Sequence, residues 1–154
     1  MSRYPYGIAE SLSDDHLDQL EATMVPLGYG RTRSVADLVV GWAAHVNKLH
    51  AESDLRPGED RDSWNAHDYV AALIIRGFVE RGLDLLGDEL RSAASQLVGR
   101  FDGLFGSFTE ADEQHLVRRF AGEDAGPQWW WQRIPRSGPV RAELLGVTGA
   151  NDPA

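Results

Sequence analysis

The chain has 154 residues, 42% of them hydrophobic and 25% charged, a balance that fits one globular domain and excludes a disordered or fibrous chain. Its 24 acidic residues against 15 basic ones give a formal charge of −9 and a pI near 4.9, which disfavours nucleic acid and anionic lipid because both bind through Lys and Arg. The absence of cysteine excludes disulfides, a thiolate nucleophile and a cysteine zinc site.

No apolar run reaches the roughly 18 residues of a membrane span. Met1-Ser2-Arg3-Tyr4-Pro5-Tyr6 lacks the apolar stretch of a signal peptide, so the cytoplasm is the expected compartment. Ser13 opens the first predicted helix, over residues 13–24. Its hydroxyl suits an N-cap, Asp14 and Asp15 complement the helix dipole, and Leu12 can staple against Leu17. Pro26 and Gly28-Tyr29-Gly30 then break the chain. Ser34-Val35-Ala36-Asp37 reads as a capping box opening a second helix, whose Val35, Leu38, Val39, Trp42, Val46 and Leu49 recur at three- and four-residue steps.

A loop with Pro57-Gly58 runs from Glu52 to Asp62. Asp62 or Ser63 is expected to cap a third helix reaching about Gly82, with Trp64, Ala71, Ile75, Phe78 and Val79 as its inner stripe. Its run from Ala71 to Ile75 is apolar nearly all round and marks a central position. A fourth helix spans about Asp84 to Gly106 through Leu86, Leu90, Ala94, Leu97, Phe101, Leu104 and Phe105. Gly87, Gly99, Gly103 and Gly106 predict a kink or break in it. Thr109-Glu110-Ala111-Asp112 starts a short fifth helix, with acids in its first turn and Arg118 and Arg119 in its last.

Beyond Phe120 the chain reads as irregular or extended, with one turn around Arg141 to Leu145. Three of the five tryptophans stand together there, as Trp129-Trp130-Trp131. On an extended backbone Trp129 and Trp131 share one side and Trp130 takes the other. They either close the core or, with Arg133, present an aromatic anchor to a partner. The expected fold is all-α: a single-domain bundle of four to five helices over residues 1–147, closed by this irregular tryptophan-rich segment. Residues 148–154 form a flexible tail.

Few residues suggest chemistry. His45 and His50 are five apart and off a common helical face, and no metal-ligand spacing joins the histidines. No cofactor and no metal are expected. Arg61-Asp62-Ser63-Trp64-Asn65-Ala66-His67 resembles the Arg-x(4–6)-His signature of HEPN-type ribonucleases, in which Arg61 and His67 would serve RNA cleavage. That signature belongs late in a helical bundle, whereas here two long helices follow, and a charge of −9 lacks the basic groove RNA needs.

Arg76 lies in the apolar run Leu73-Ile74-Ile75-Arg76-Gly77-Phe78, where an unpaired guanidinium is costly. A structural ion pair is expected, with Asp102 as first partner and Asp68 as the alternative. Glu52, Asp54, Glu59, Asp60, Asp62 and Asp68 make an acidic loop and helix start. It is either a solvated loop or a mimic of nucleic-acid phosphates, with Glu59, Asp60 and Asp62 facing a basic partner.

Trp42 and Val46, then Asp68-Tyr69, Leu73 and Arg76, then Phe101-Asp102 and Phe105, Thr109, and Trp130-Trp131 with Arg133 and Pro135 form an ordered series. It resembles a family of small, uncharacterised, all-helical bacterial proteins with the pattern W…V…DY..L..R…LD..F…T…WW..R.P, over about residues 34–136. Phe101 stands where that pattern has leucine, and the loop before Asp62 is longer. The resemblance carries no activity with it. It points by association to immunity proteins or antitoxins: a cytoplasmic, non-catalytic, protein-binding domain that inhibits a basic toxin enzyme. The alternatives are a HEPN-like ribonuclease using Arg61 and His67, and a helical bundle that binds a small molecule.

Overall fold

The computed structural model describes residues 4–55 and 64–150. Among them the chain is mostly helical, with seven α-helices and two two-stranded antiparallel sheets. In order these are α1 (Ile8–Ser11), α2 (Asp14–Ala22), β1 (Met24–Gly28), β2 (Arg31–Ser34), α3 (Val35–Ala51), α4 (Ala66–Asp84), α5 (Asp88–Phe108), β3 (Thr109–Ala111), α6 (Leu116–Ala121), β4 (Arg133–Pro135) and α7 (Pro139–Ala150). Short 3-10 turns lie at Gly122–Asp124 and Trp129–Gln132. The chain divides into two compact units, one of Met1–His45 with Ile75–Gly103, the other of Val46–Ile74 with Leu104–Ala154. No described helix is long and apolar enough to cross a membrane.

In the first unit Ser13 caps α2 by accepting from His16 N–H at 3.1 Å, and Ser34 caps α3 by accepting from Asp37 N–H at 3.0 Å. Between them lies a hairpin that helical periodicity does not reveal. β1 and β2 pair antiparallel, Met24 with Ser34 and Val25 with Arg33, with an irregularity between Pro26 and Gly28. Gly28, Tyr29 and Gly30 turn the chain with φ of 94, 56 and 74°. Leu17, Leu20, Val25, Val35, Leu38, Val39 and Trp42 are buried, with Val79, Leu83, Leu97 and Val98 from α4 and α5. Gly82 is required by packing, because a Cβ there would stand 2.9 Å from one Val35 methyl and 3.2 Å from one of Val25.

The second unit corrects several expectations. α4 starts at Ala66 rather than after Asp62 or Ser63, because Asn65 and Asp68 form a reciprocal cap. The Asp68 carboxylate accepts from Asn65 N–H at 2.9 Å, and Asn65 Oδ1 accepts from Asp68 N–H at 3.0 Å. The helix expected from about Asp84 begins at Asp88, after the break that Gly87 predicts, and α5 then runs unbroken past Gly99, Gly103 and Gly106. Burial of Leu90, Ala94, Leu97, Val98, Phe101, Phe105 and Phe108 outweighs a propensity cost of roughly 1 kcal/mol per glycine.

Thr109 does not begin a helix. Its fully buried side chain donates to Phe105 O at 2.7 Å, and its backbone joins a sheet in which Thr109 faces Pro135, Glu110 faces Ile134 and Ala111 faces Arg133. The helix that follows starts only at Leu116, where both Asp112 oxygens accept N–H groups, from Leu116 at 3.0 Å and Val117 at 2.8 Å. The expected single turn near Arg141 is instead the twelve-residue α7, opened by Pro139, whose fixed φ suits a first helical position. Short α1 and this longer α7 raise the helix number above the four to five expected.

Gly82→Ala should lower Tm by about 2–4 °C, because overpacking of roughly 1–3 kcal/mol exceeds a helix-propensity gain of roughly 1 kcal/mol. Gly77→Ala in the same helix meets nothing within 4 Å and should raise Tm. Differential scanning calorimetry of the two variants checks both signs.

Candidate functional site

Arg76 is only 4% exposed, so its five N–H groups must find acceptors inside the protein. Asp102 takes Nε and Nη2 in a bidentate pair, both at 2.9 Å, and Glu80 takes Nη1 at 2.9 Å. The same Asp102 carboxylate accepts the indole N–H of Trp42 at 2.9 Å. Burial works to lower the Arg76 pKa, but the hydrogen bonds and charges of Asp102 and then Glu80 outweigh it, and the net shift is upward. Arg76 is a cation that ties α4 to α5, and Asp102 extends the link to Trp42 of α3. Asp68 serves α4 as its cap residue and is not its partner.

A second network fills the other unit. Arg133 lays its guanidinium on the carbonyl end of α5. Nε donates to Thr109 Oγ1 at 3.1 Å, and Nη2 to Thr109 O at 2.7 Å and Gly106 O at 3.2 Å. A cation there complements the negative end of the helix dipole. Arg136 Nε adds a bond to Thr109 O at 2.9 Å. Tyr69 is fully buried; its hydroxyl donates to Arg133 O at 2.7 Å and its ring stacks on Phe105 at 6.2 Å. Burial first, then the negative charge of Asp112, pushes the Tyr69 hydroxyl well above its usual pKa of 10.0, against a smaller opposing effect of Arg133.

Acidic residues near the start of α4 behave differently from one another. Glu52 is buried, accepts Trp64 N–H on both oxygens at 3.0 Å and pairs with Lys48 at 3.1 Å. Glu143 of α7 accepts Ala66 N–H at 2.7 Å. Gly138 allows this junction, since a Cβ there would meet Glu52 O at 3.0 Å while φ is +97°. Asp54 is exposed. Glu59, Asp60, Arg61 and Asp62 lie outside the described residues.

The tryptophan segment is a 3-10 turn, so the extended alternation does not apply. Trp130 and Trp131 are both buried and Trp129 is 43% exposed. The Trp129 ring meets Phe105 edge-on at 6.0 Å and Trp130 at 5.7 Å. Exposed Glu123 and Asp124 lie in the preceding 3-10 turn. An open cleft of about 270 Å³ lies in the same unit, lined by Glu110, Glu113, Gln114, Leu116, Ile134 and Leu145 among others. One of its acids, Glu110, is paired with Arg141 at 2.9 Å.

His67 is exposed and packs edge-on against Phe120 at 4.8 Å. His45 is bonded to Gly41 O at 2.7 Å, and the His50 ring lies 5.5 Å from Phe108. Among the described residues no group of three His, Asp or Glu could hold a metal.

Seven residues of the ordered series therefore fall into two linked sets, Trp42, Arg76 and Asp102 in one unit, and Tyr69, Phe105, Thr109 and Arg133 in the other. The capping work of Glu52, Asp112 and Glu143 has no sequence signal, because their targets are backbone N–H groups made free only by the folded helix ends. No family model, curated protein or solved structure matches the chain.

Arg76→Ala should cost about 3 kcal/mol, the low end of the roughly 3–5 kcal/mol for breaking a buried pair. Asp102 is 19% exposed and keeps Trp42 as donor, which softens the loss. Urea denaturation measures it, and Asp68→Asn should cost no more than about 1 kcal/mol, the worth of a cap.

Tyr69 adds a pH dependence. Its folded pKa lies above the unfolded one, so its contribution is complete below about pH 10 and declines as pH rises past that value. Tyr69→Phe should lose about 1 kcal/mol at neutral pH and show a shallower fall in stability above pH ~10. Denaturation curves at neutral and alkaline pH decide this; an equally steep alkaline fall in the variant would contradict it.

Proposed function

We propose that the protein is a non-catalytic, cytoplasmic protein-binding domain, most concretely an immunity- or antitoxin-like inhibitor that occludes a basic enzyme. The supporting observation is Trp129. It keeps 43% of its surface exposed, although its neighbours Trp130 and Trp131 are buried and the following Arg133 is fastened to α5. A large aromatic held on a braced turn loses little entropy on binding, and tryptophan is enriched among residues that dominate interface energy. Exposed Glu123 and Asp124 nearby, within a chain of charge −9, favour a basic partner and speed its approach.

The same reading places the chain with the small all-helical bacterial proteins its ordered residues resemble, and gives it the helical-bundle form closed by the tryptophan segment. In it Trp129 is the anchor and Arg133 its brace. Glu59, Asp60 and Asp62 supply steering charge.

Co-expression with a basic enzyme encoded beside this protein tests the proposal. Wild type should protect the host. Trp129→Ala should weaken binding by about 30-fold, the loss of a hot spot worth roughly 2 kcal/mol, while the lost ring contacts with Phe105 and Trp130 lower stability by about 1 kcal/mol. Replacing Glu59, Asp60 and Asp62 by Gln and Asn should slow association and flatten its salt dependence. Full protection and affinity in Trp129→Ala would remove the anchor, and RNA cleavage abolished by His67→Ala would replace the inhibitor reading with a ribonuclease.

A further inference from the structure

The β1–β2 hairpin presents an aromatic with no use inside the fold. Tyr29 has φ of 56°, a region that glycine adopts freely and tyrosine adopts under strain. Its side chain is 100% exposed, so no internal contact offsets that strain. Arg31 and Arg33 follow it, both exposed, and neither forms an ion pair among the described residues. An exposed tyrosine beside two unpaired arginines has the composition of an interface core. The rest of the chain makes the choice of partner, because a surface of net charge −9 attracts such an arm.

Strand addition is a poor route to association here. Pro26 removes a donor from β1, and symmetric pairing through β2 would bring Arg31 and Arg33 against their own copies. The hairpin tip is therefore the contacting part. Its complement lies on the same chain, in the cleft of the second unit. Leu145, an exposed leucine, supplies apolar surface there, and exposed Glu113 supplies charge, while Glu110 is held by Arg141 at the cleft wall. Its volume, about 270 Å³, falls just below the roughly 300 Å³ at which small-molecule pockets begin. That is room for one inserted side chain.

We propose that the hairpin of one molecule docks in this cleft of a second copy, with the Tyr29 ring on Leu145 and Arg31 and Arg33 against Glu113. The contact is heterologous, so each copy offers one hairpin and one cleft and the copies add head to tail. It is independent of the inhibitor reading, which rests on Trp129.

Sedimentation velocity of the full chain over a concentration series tests it. The wild type should show a sedimentation coefficient that rises with concentration and falls back as salt is raised. Tyr29→Gly relieves the strained φ, so it should melt no lower than wild type while weakening association by at least about tenfold. Arg31→Glu/Arg33→Glu and Glu113→Arg should each be monomeric alone, yet associate when mixed, because the swapped charges are complementary across the contact. A wild type monomeric up to about 1 mM, or association that survives Tyr29→Gly, would overturn the proposal. A mixture of the charge-swap variants that stays monomeric would overturn the choice of cleft.

Discussion

Every helix ends in backbone N–H and C=O groups that have no partner within the helix, and when those ends are buried something else must satisfy them. In this chain charged side chains meet much of that demand. Glu52 and Glu143 accept the N–H groups of Trp64 and Ala66 at the entrance to α4, Asp112 accepts two at the start of α6, and Arg133 donates to Gly106 O in the last turn of α5 and to Thr109 O just beyond it. Part of the formal charge of −9 is therefore engaged at helix ends. Glu113, Glu123 and Asp124, by contrast, are exposed.

The same constraint explains why the residues of the ordered series are so scattered in sequence. Trp42, Arg76, Asp102, Thr109 and Arg133 each lie where one element is fastened to a distant one. Asp102 accepts from both Arg76 and Trp42, so a single carboxylate holds α3, α4 and α5 in the first unit. In the second, Thr109 serves the end of α5 with its hydroxyl and Arg133 and Arg136 with its carbonyl. Replacing such polar anchors with apolar residues of similar volume need not destabilise a protein. What they supply is a particular pairing of helices and strands, which apolar contacts alone specify less sharply.

Much of the helical content was legible because its signals are local. Ser13 and Ser34 cap the helices they were expected to cap, and the three- and four-residue spacing of Val35, Val39, Trp42 and Val46 marks a buried face. Elements governed by distant contacts were not legible. Thr109-Glu110-Ala111 has the side chains of a helix start, yet its backbone pairs with Arg133–Pro135, more than twenty residues away. The glycines of α5 read locally as breaks, but the apolar surface buried by its other residues keeps the helix intact. Gly28-Tyr29-Gly30 reads locally as a break, although two glycines between short strands are also a hairpin signal. In the candidate site, the rarity of Trp129-Trp130-Trp131 drew attention to the segment, but which ring is exposed follows from the 3-10 turn, which composition does not encode.

Trp129 and Tyr29 show two opposite ways of presenting an aromatic to solvent. Trp129 stands on buried rings, touching Phe105 and Trp130, in a segment whose next strand is bonded to α5. Part of its surface already stabilises the fold, so a partner adds to an existing platform. Tyr29 rests on nothing and occupies a conformation that a glycine would hold more cheaply. Any stability it lends must come from outside the chain. A braced aromatic suits a tight, lasting contact, since little order remains to be imposed on binding. A strained one at the tip of a two-stranded hairpin suits a contact that forms and releases with concentration and salt. The two aromatics belong to different compact units, Tyr29 to the first and Trp129 to the second.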